Sequence, residues 1–94
     1  MKNLVISQKI EEKLANKHHV RTSEVRQCFE NREAGFLEDD REDNRTDPPT
    51  KWFLSYTNLG RQLKIVFVFK NGKIFLKTAY PPNDEEIRIY NELA

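Results

Sequence analysis

The sequence predicts an α+β domain in which two N-terminal helices and a C-terminal helix pack on a mainly antiparallel sheet of about four strands. Two β-rich runs flank Asn71-Gly72, a strong signal for a two-residue hairpin turn, because both turn positions need positive φ. A third β-rich run, residues 51–57, precedes this hairpin. Apolar residues at helical spacing occur before and after the strand region, which is typical of the α+β class.

The N-terminal third is expected to hold a short edge strand and two helices. Leu4 to Ile6 is an apolar run, and Ser7 can cap a helix that extends to about Lys17. Thr22 is expected to cap a second helix, whose buried stripe includes Cys28. A lone cysteine cannot form an intrachain disulfide, so we expect a buried, inert thiol.

A charged loop is predicted at about residues 39–50, after a short strand at 36–39. The loop has no hydrophobic residue between 39 and 50, and at about a dozen residues it is longer than most connections in small domains. Its acids could hold Mg²⁺ or Ca²⁺, but their spacing lacks the regularity of a calcium loop, and a solvated segment is the commoner meaning. Arg41 within it could reach over an open sheet face.

The Asn71-Gly72 hairpin predicts which side chains share a face, when pairs are counted outward from Lys70 opposite Lys73. The core face is expected to carry Leu63, Ile65, Phe67, Phe69, Ile74, Leu76, Thr78 and Tyr80. The other face is expected to carry Lys64, Val66, Val68, Lys70, Lys73, Phe75, Lys77 and Ala79. Because the second face holds lysines and no acid, we expect it to stay open and to accept an anion.

The register of the first long strand depends on the length of the turn that follows it. A four-residue loop would place Trp52, Leu54 and Tyr56 in the core, whereas a three-residue loop would place Phe53 and Ser55 there. The four-residue loop is preferred because it buries more apolar area.

The C-terminal segment is expected to form a helix that closes the domain. Pro81-Pro82 ends the last strand, and Asn83 is an N-cap with Glu86 at the capping-box position. Tyr90 is expected to pack inward, and Arg88 to lie on a flank of the helix.

Composition limits the classes of function. The 94 residues are enough for one domain, 1–94, and the net charge of +1 means that any nucleic-acid site depends on how charges are separated in space. No apolar run approaches the roughly 18 residues of a membrane span, and the N-terminus does not resemble a signal peptide, so a cytoplasmic protein is expected. Two adjacent histidines and one cysteine make a transition-metal site improbable, and no cofactor is expected.

Six short motifs, taken in order, resemble the BrnT family of RelE-like toxins from bacterial type II toxin–antitoxin pairs. They are Lys17-His18-x-Val20, Val25 to Phe29, Asp39-x-Arg41-x-Asp43, Gly60-Arg61-x-Leu63-x-Ile65-Val66, Thr78-Ala79 and Glu86-x-Arg88-x-Tyr90. Members usually carry an arginine where this chain has Tyr80. The resemblance implies a RelE-like fold and a ribonuclease toxin that is blocked by a cognate antitoxin.

Metal-independent RNA cleavage requires a proton acceptor, cations beside the phosphate and a proton donor for the leaving oxygen. The candidate catalytic residues are Arg61, Lys77, Arg88, Tyr90 and His18. The candidate RNA-binding residues are Lys64, Lys51, Arg41 and Tyr80. In this scheme Lys64 and Lys77 bind phosphate, the arginines stabilise charge, and His18 or a tyrosine moves protons.

Each candidate also has a structural interpretation. Strand lysines are commonly solvated, Arg61 could pair with the acidic loop, and the tyrosines could pack in the core. His18 ends a helix, where the dipole favours a protonated imidazole.

Two other functions stay open. One is a non-catalytic module that binds nucleic acid or an acidic protein, and the weaker one is a hydrolase of a phosphate-containing ligand such as an ADP-ribosyl group. Under the toxin hypothesis the partners are an antitoxin and RNA, either free or as ribosome-bound mRNA.

Overall fold

The fold is α+β, as predicted, with three helices and a five-stranded mixed sheet in the described part of the chain. The computed structural model describes residues 3–39 and 48–94. The strands are β1 (Leu4–Val5), β2 (Leu37–Glu38), β3 (Thr50–Tyr56), β4 (Gln62–Lys70) and β5 (Lys73–Tyr80). The helices are α1 (Gln8–Lys13), which continues into a π-helical turn (Leu14–His18), α2 (Thr22–Glu30) and α3 (Asp84–Leu93). None of the helices in these two ranges is long and apolar enough to cross a membrane.

The strand order is β1-β5-β4-β3-β2. The predicted antiparallel meander is confirmed, because β4 pairs with both β3 and β5 in antiparallel fashion. The short strands predicted at residues 4–6 and 36–39 form the two edges of the sheet, and β1 is parallel to β5. The sheet therefore has one strand more than predicted and is mixed. Two-residue edges leave few unpaired backbone groups for association with another chain.

A β-bulge in β5 changes the predicted faces of the hairpin. The Asn71-Gly72 turn has positive φ at both positions and sets Lys70 opposite Lys73, as predicted. Phe67 then pairs with Leu76, but Val66 pairs with Thr78, so Lys77 is an extra, unpaired residue. Because side chains alternate along a strand, every residue beyond the bulge changes face.

The face assignments beyond this bulge are therefore wrong. Tyr80 and Thr78 lie on the face of Lys64 and Val66, and Ala79 lies on the core face, where it pairs with Ile65 and is fully buried. At the turn end of the hairpin, Phe69 is on the expected face but is 48% exposed.

The turn between β3 and β4 is a three-residue loop. The N–H of Thr57 donates to the carbonyl of Arg61 at 2.8 Å, which closes a loop whose last residue, Gly60, has a φ of 86°. This geometry is the common three-residue hairpin with a left-handed glycine. The preference for four residues is wrong, because Phe53 pairs with Ile65 and shares its face.

The first face of the sheet packs against the N-terminal helices. Phe53, Leu63, Ile65 and Phe67 are almost completely buried there. The ring of Phe29 on α2 meets Phe53 edge-on, with ring centroids 4.9 Å apart. Opposite them, the helices and the segment that joins them contribute the buried side chains Leu14, Val20, Val25 and Cys28. The thiol is buried as predicted, and its burial raises the pKa of Cys28 to about 12, so the inert thiol form persists at neutral pH.

The second face is covered in part by α3, which contradicts the prediction of an open face. Trp52 and Leu54 are buried on it, and the ring of Tyr90 lies 5.7 Å from that of Trp52. Lys64, expected to be exposed, is buried beside them. The even-numbered residues of β3 therefore form a second core layer, although Tyr56 is 53% exposed at the strand end.

Two of the three predicted helix caps, Ser7 and Asn83, are confirmed. The Oγ of Ser7 accepts from the N–H of Ile10 at 3.2 Å. Asn83 and Glu86 form the predicted capping box, each accepting from the other's backbone N–H. The second helix begins at Thr22 as its first helical residue, so its N-cap is Arg21 and not Thr22. Arg41 and most of the predicted charged loop lie outside the described residues.

The π-helical turn ends in a left-handed residue, His19, with φ 53° and ψ 43°. We predict that His19→Gly raises the free energy of unfolding by about 1 kcal/mol, because a side chain strains this conformation and glycine does not. His19→Val should lower it, since a β-branched side chain suits this region poorly. Urea unfolding followed by circular dichroism measures both changes; equal stability of the two variants would contradict the prediction.

Candidate functional site

A group of polar and aromatic side chains meets where β4 begins and β5 ends. Lys64 and Tyr80 are direct cross-strand neighbours at this place, Glu86 reaches it from α3, and His18 reaches it from the π-helical turn. We call these four residues the Tyr80 cluster. The bulge at Lys77 is its structural cause, because without it Tyr80 would lie on the other face of the sheet.

Lys64 forms the buried part of the cluster. Its side chain is only 9% exposed, and its Nζ lies 2.5 Å from Oε2 of Glu86. The ammonium group also lies 4.6 Å from the ring centroid of Trp52 and 5.7 Å from that of Tyr80. A charged lysine tolerates such burial only with an anion beside it, and the two rings add a favourable electrostatic contribution. Lys64 is therefore committed to internal contacts.

Glu86 joins Lys64 to Tyr80. Its Oε2 accepts from the hydroxyl of Tyr80 at 3.1 Å, and its Oε1 accepts from the backbone N–H of Asn83 at 3.0 Å. Burial by itself raises the pKa of Glu86, but hydrogen bonds from Lys64, Asn83 and Tyr80, together with the charge of Lys64, outweigh it and lower the pKa below its usual 4.5. Glu86 is ionised at neutral pH. The sequence predicted that Glu86 caps α3 but gave no signal that it also joins Lys64 to Tyr80.

His18 lies beside Tyr80 in the cluster. Its ring centroid lies 5.5 Å from that of Tyr80. Burial lowers the pKa of His18 below 6.5, and the charges of Lys13, Lys17 and His19 lower it further. The imidazole is therefore neutral at pH 7, which corrects the expectation that the helix dipole would favour its protonated form. A neutral imidazole can accept a proton.

Arg61 holds the backbone that carries His18. One guanidinium nitrogen donates to the carbonyl of His18 at 3.1 Å, and the other donates to the carbonyl of His19 at 2.8 Å. Arg61 also pairs with Glu24 at 3.2 Å. Within the described residues, the ionic partner of Arg61 is thus Glu24 of the second helix. Most of the acidic loop, the partner considered from the sequence, lies outside those residues. With its side chain about one-third exposed, Arg61 can still present positive charge next to His18.

The remaining candidates do not join this group. Tyr90 packs against Trp52, and its hydroxyl donates to the carbonyl of Gly35 at 2.7 Å, while burial raises the pKa of Tyr90. Arg88 is exposed on α3, 3.4 Å from Glu92 and 3.9 Å from Glu85. These contacts are those of a tyrosine packed in the core and of an arginine on the solvated surface of α3.

Two lysines lie on other parts of the sheet. Lys77 is exposed in the bulge of β5. Lys51 is half-buried on β3, opposite Phe67 of β4 and Glu38 of β2. Within residues 3–39 and 48–94, no group of three or more histidine, cysteine or acidic side chains is placed to hold a metal ion.

Comparison of the sequence with models of known protein families and with curated proteins finds no match. The resemblance to BrnT-like toxins therefore stays a hypothesis, and the function has to be argued from the chemistry of the Tyr80 cluster.

The buried ion pair predicts a specific acid response. The folded-state pKa of Glu86 is lowered, so its ionised form stabilises the fold above about pH 4.5, and this contribution is lost as pH falls below that value. We predict that Glu86→Gln lowers the free energy of unfolding at pH 7 by about 2–3 kcal/mol, because Lys64 is left buried without an anion. The variant should also show a smaller loss of stability between pH 5 and pH 3 (approximate limits). Urea unfolding at several pH values measures both effects.

The matched control is Glu85→Gln, which changes the same helical turn at an exposed side chain. It should leave stability at pH 7 within about 0.5 kcal/mol of the wild-type value. Since glutamine can still accept from Asn83, the capping box is retained in Glu86→Gln. Equal effects of the two substitutions would contradict a buried pair.

Proposed function

We propose that this chain is a metal-independent endoribonuclease, the toxin of a cytoplasmic toxin–antitoxin pair, and that His18 is its general base. The observation that carries the proposal is the His18 imidazole, which lies next to the ring of Tyr80 and has a pKa lowered by burial and by the nearby lysines. The order of motifs along the chain supports the assignment to a RelE-like toxin.

The proposed reaction is attack of a ribose 2′-oxygen on the adjacent phosphorus. His18 takes the proton of the 2′-hydroxyl, the bond from O2′ to phosphorus forms, and the bond from phosphorus to O5′ breaks. Tyr80 gives its phenolic proton to the departing O5′. For this step the Tyr80 hydroxyl breaks its hydrogen bond to Glu86 and donates to O5′ of the substrate. His18 then releases to solvent water the proton that it took, and Tyr80 regains one from the same water. The products are a 2′,3′-cyclic phosphate and a free 5′-hydroxyl.

Positive charge for the phosphate comes from residues around His18 and not from the sheet face. Lys13 and Lys17 are exposed and close enough to lower the pKa of His18. Arg61 is fixed beside His18 by its hydrogen bonds to the carbonyls of His18 and His19. These three cations can stabilise the phosphorane charge, whereas Lys64 is neutralised by Glu86 and positions Tyr80 through it.

The same surface can also bind RNA without cleaving it, which is the second candidate function. The observation in its favour is that Arg61 and Lys64 are both engaged in internal ion pairs. Lys13, Lys17 and the ring of Tyr80 would then serve as phosphate contacts and a stacking surface.

Cleavage is tested with purified protein and total RNA in EDTA, both alone and with ribosomes added. We predict that EDTA leaves cleavage unchanged, because the proposed groups need no metal ion, and that the products end in 2′,3′-cyclic phosphate. His18→Gln should lower the rate by about 100-fold or more. His19→Asn is the matched control, because it removes an exposed neighbouring imidazole and asparagine tolerates the left-handed backbone.

Three results of this experiment would count against the proposal. Intact RNA with and without ribosomes would overturn the ribonuclease assignment. RNA binding without cleavage, measured by filter retention, would favour the binding module. Equal loss of cleavage in His18→Gln and His19→Asn would show that His18 is not the base.

The pH dependence of cleavage gives an independent prediction. Because a general base must be deprotonated and the pKa of His18 is lowered, the rate should rise with pH below about 6.5 and be constant near pH 7. A single-turnover rate measured at several pH values checks this. A rate that still rises above pH 7.5 (approximate) would assign the proton transfer to a group other than His18.

A further inference from the structure

A cleft of about 390 Å³ lies between α3 and the edge of the sheet formed by β2 and β3. Leu37, Trp52 and Ile89 provide apolar walls, and Leu93, which is 68% exposed, lies at the end of α3. Clefts of this size that combine apolar walls with polar groups are typical binding sites for small ligands or peptide side chains. The described residues leave this surface uncovered.

The charges around the cleft are negative. Glu38, Asp39 and Glu85 line it, and Lys64, the one cation among the described lining residues, is neutralised by Glu86 in the ion pair described above. Arg88 lies outside the lining, 3.9 Å from Glu85, and both of these side chains are exposed. The whole chain has a net charge of +1, so this negative surface results from the spatial arrangement of charges. Such a surface repels nucleic acid and anionic membranes, and it attracts cations.

We propose that this cleft binds a basic segment of a partner protein. An apolar side chain of the segment lies between Trp52 and Ile89, and its lysine or arginine side chains pair with Glu38 and Glu85 at the rim. A short peptide suits the site better than a single small cation, because only a chain can fill the apolar walls and reach carboxylates on both sides. The inference goes beyond the ribonuclease proposal and does not depend on it.

The cleft also contacts the Tyr80 cluster. Lys64 and Glu86 both line the cleft, and Glu86 accepts the hydrogen bond from Tyr80. A bound cationic side chain therefore lies next to the carboxylate that positions Tyr80. Occupancy of the cleft is thus linked to the proposed site through one ion pair.

Trp52 is the chain's only tryptophan, so its fluorescence reports directly on the cleft. The probe is a synthetic peptide of alternating arginine and leucine, about eight residues long, with a glutamate–leucine peptide as its counterpart. We predict saturable changes in Trp52 emission for the arginine peptide alone, below about 1 mM. Binding should weaken as NaCl is raised from about 0.05 M to about 0.3 M, because the rim charges are exposed.

Charge reversal at the rim tests the location. Glu85→Lys should weaken arginine-peptide binding about fivefold to tenfold. Glu30→Lys is the control, because it makes the same change in net charge at the end of α2, away from the cleft. Native folding of each variant is checked by circular dichroism, and the assay contains no RNA, so its result is separate from that of the cleavage assay.

Three outcomes would overturn the proposal. The first is no saturable change in Trp52 emission with the arginine peptide. The second is equal weakening by Glu85→Lys and Glu30→Lys, since this would show an effect of net charge alone. The third is self-association that the arginine peptide disrupts and Glu85→Lys abolishes, because this would assign the cleft to a second copy of the chain.

Discussion

The rest of this structure depends on a lysine buried in the central strand of its sheet. Lys64 can remain charged there only if an anion accompanies it, and Glu86 of α3 is that anion. Buried ion pairs add little net stability compared with well-packed apolar residues, but a mismatch is costly. The pair therefore selects how α3 docks: a helix shifted by one residue would leave both charges unpaired. The ring of Trp52 packs against the ammonium group of Lys64, and Tyr90 packs against Trp52.

The sequence predicted the elements of the fold well and their faces less well. Turn chemistry is local, so Asn71-Gly72 and the Asn83–Glu86 capping box could be predicted from neighbouring residues alone. The bulge at Lys77 could not, because nothing in residues 73–80 distinguishes a bulged strand from a regular one. One extra residue then reversed the predicted faces of Tyr80 and Ala79. An error of one residue in strand register changes the predicted face of every later residue, because side chains alternate between the two faces of a strand.

The sequence predicted only part of the candidate site, because the contacts within it also depend on strand register and on long-range packing. His18 and Tyr80 were among the predicted residues, and the structure brings them together, but their proximity depends on the bulge and on the π-helical turn. In the sequence, the capping box is enough to explain why a glutamate stands at position 86. Its contact with Lys64 of β4 is distant in sequence and therefore left no local signal. Lysine in a β-strand is most often solvated, and only the three-dimensional placement of α3 shows that Lys64 is not.

The near-neutral net charge conceals two surfaces of opposite sign. Lys13 and Lys17 lie close enough to lower the pKa of His18, and Arg61 donates to its carbonyl, while Glu38 and Glu85 border the cleft beside α3. Under both proposals RNA approaches the first surface and a basic partner the second, so the two ligands would attract each other and not compete for one site. The Lys64–Glu86 pair lines the cleft and contacts Tyr80, whose ring lies beside His18. A partner that acts through it would change the orientation of Tyr80 without covering His18, so RNA binding would persist while cleavage is lost. A partner that simply blocks the surface would remove both together.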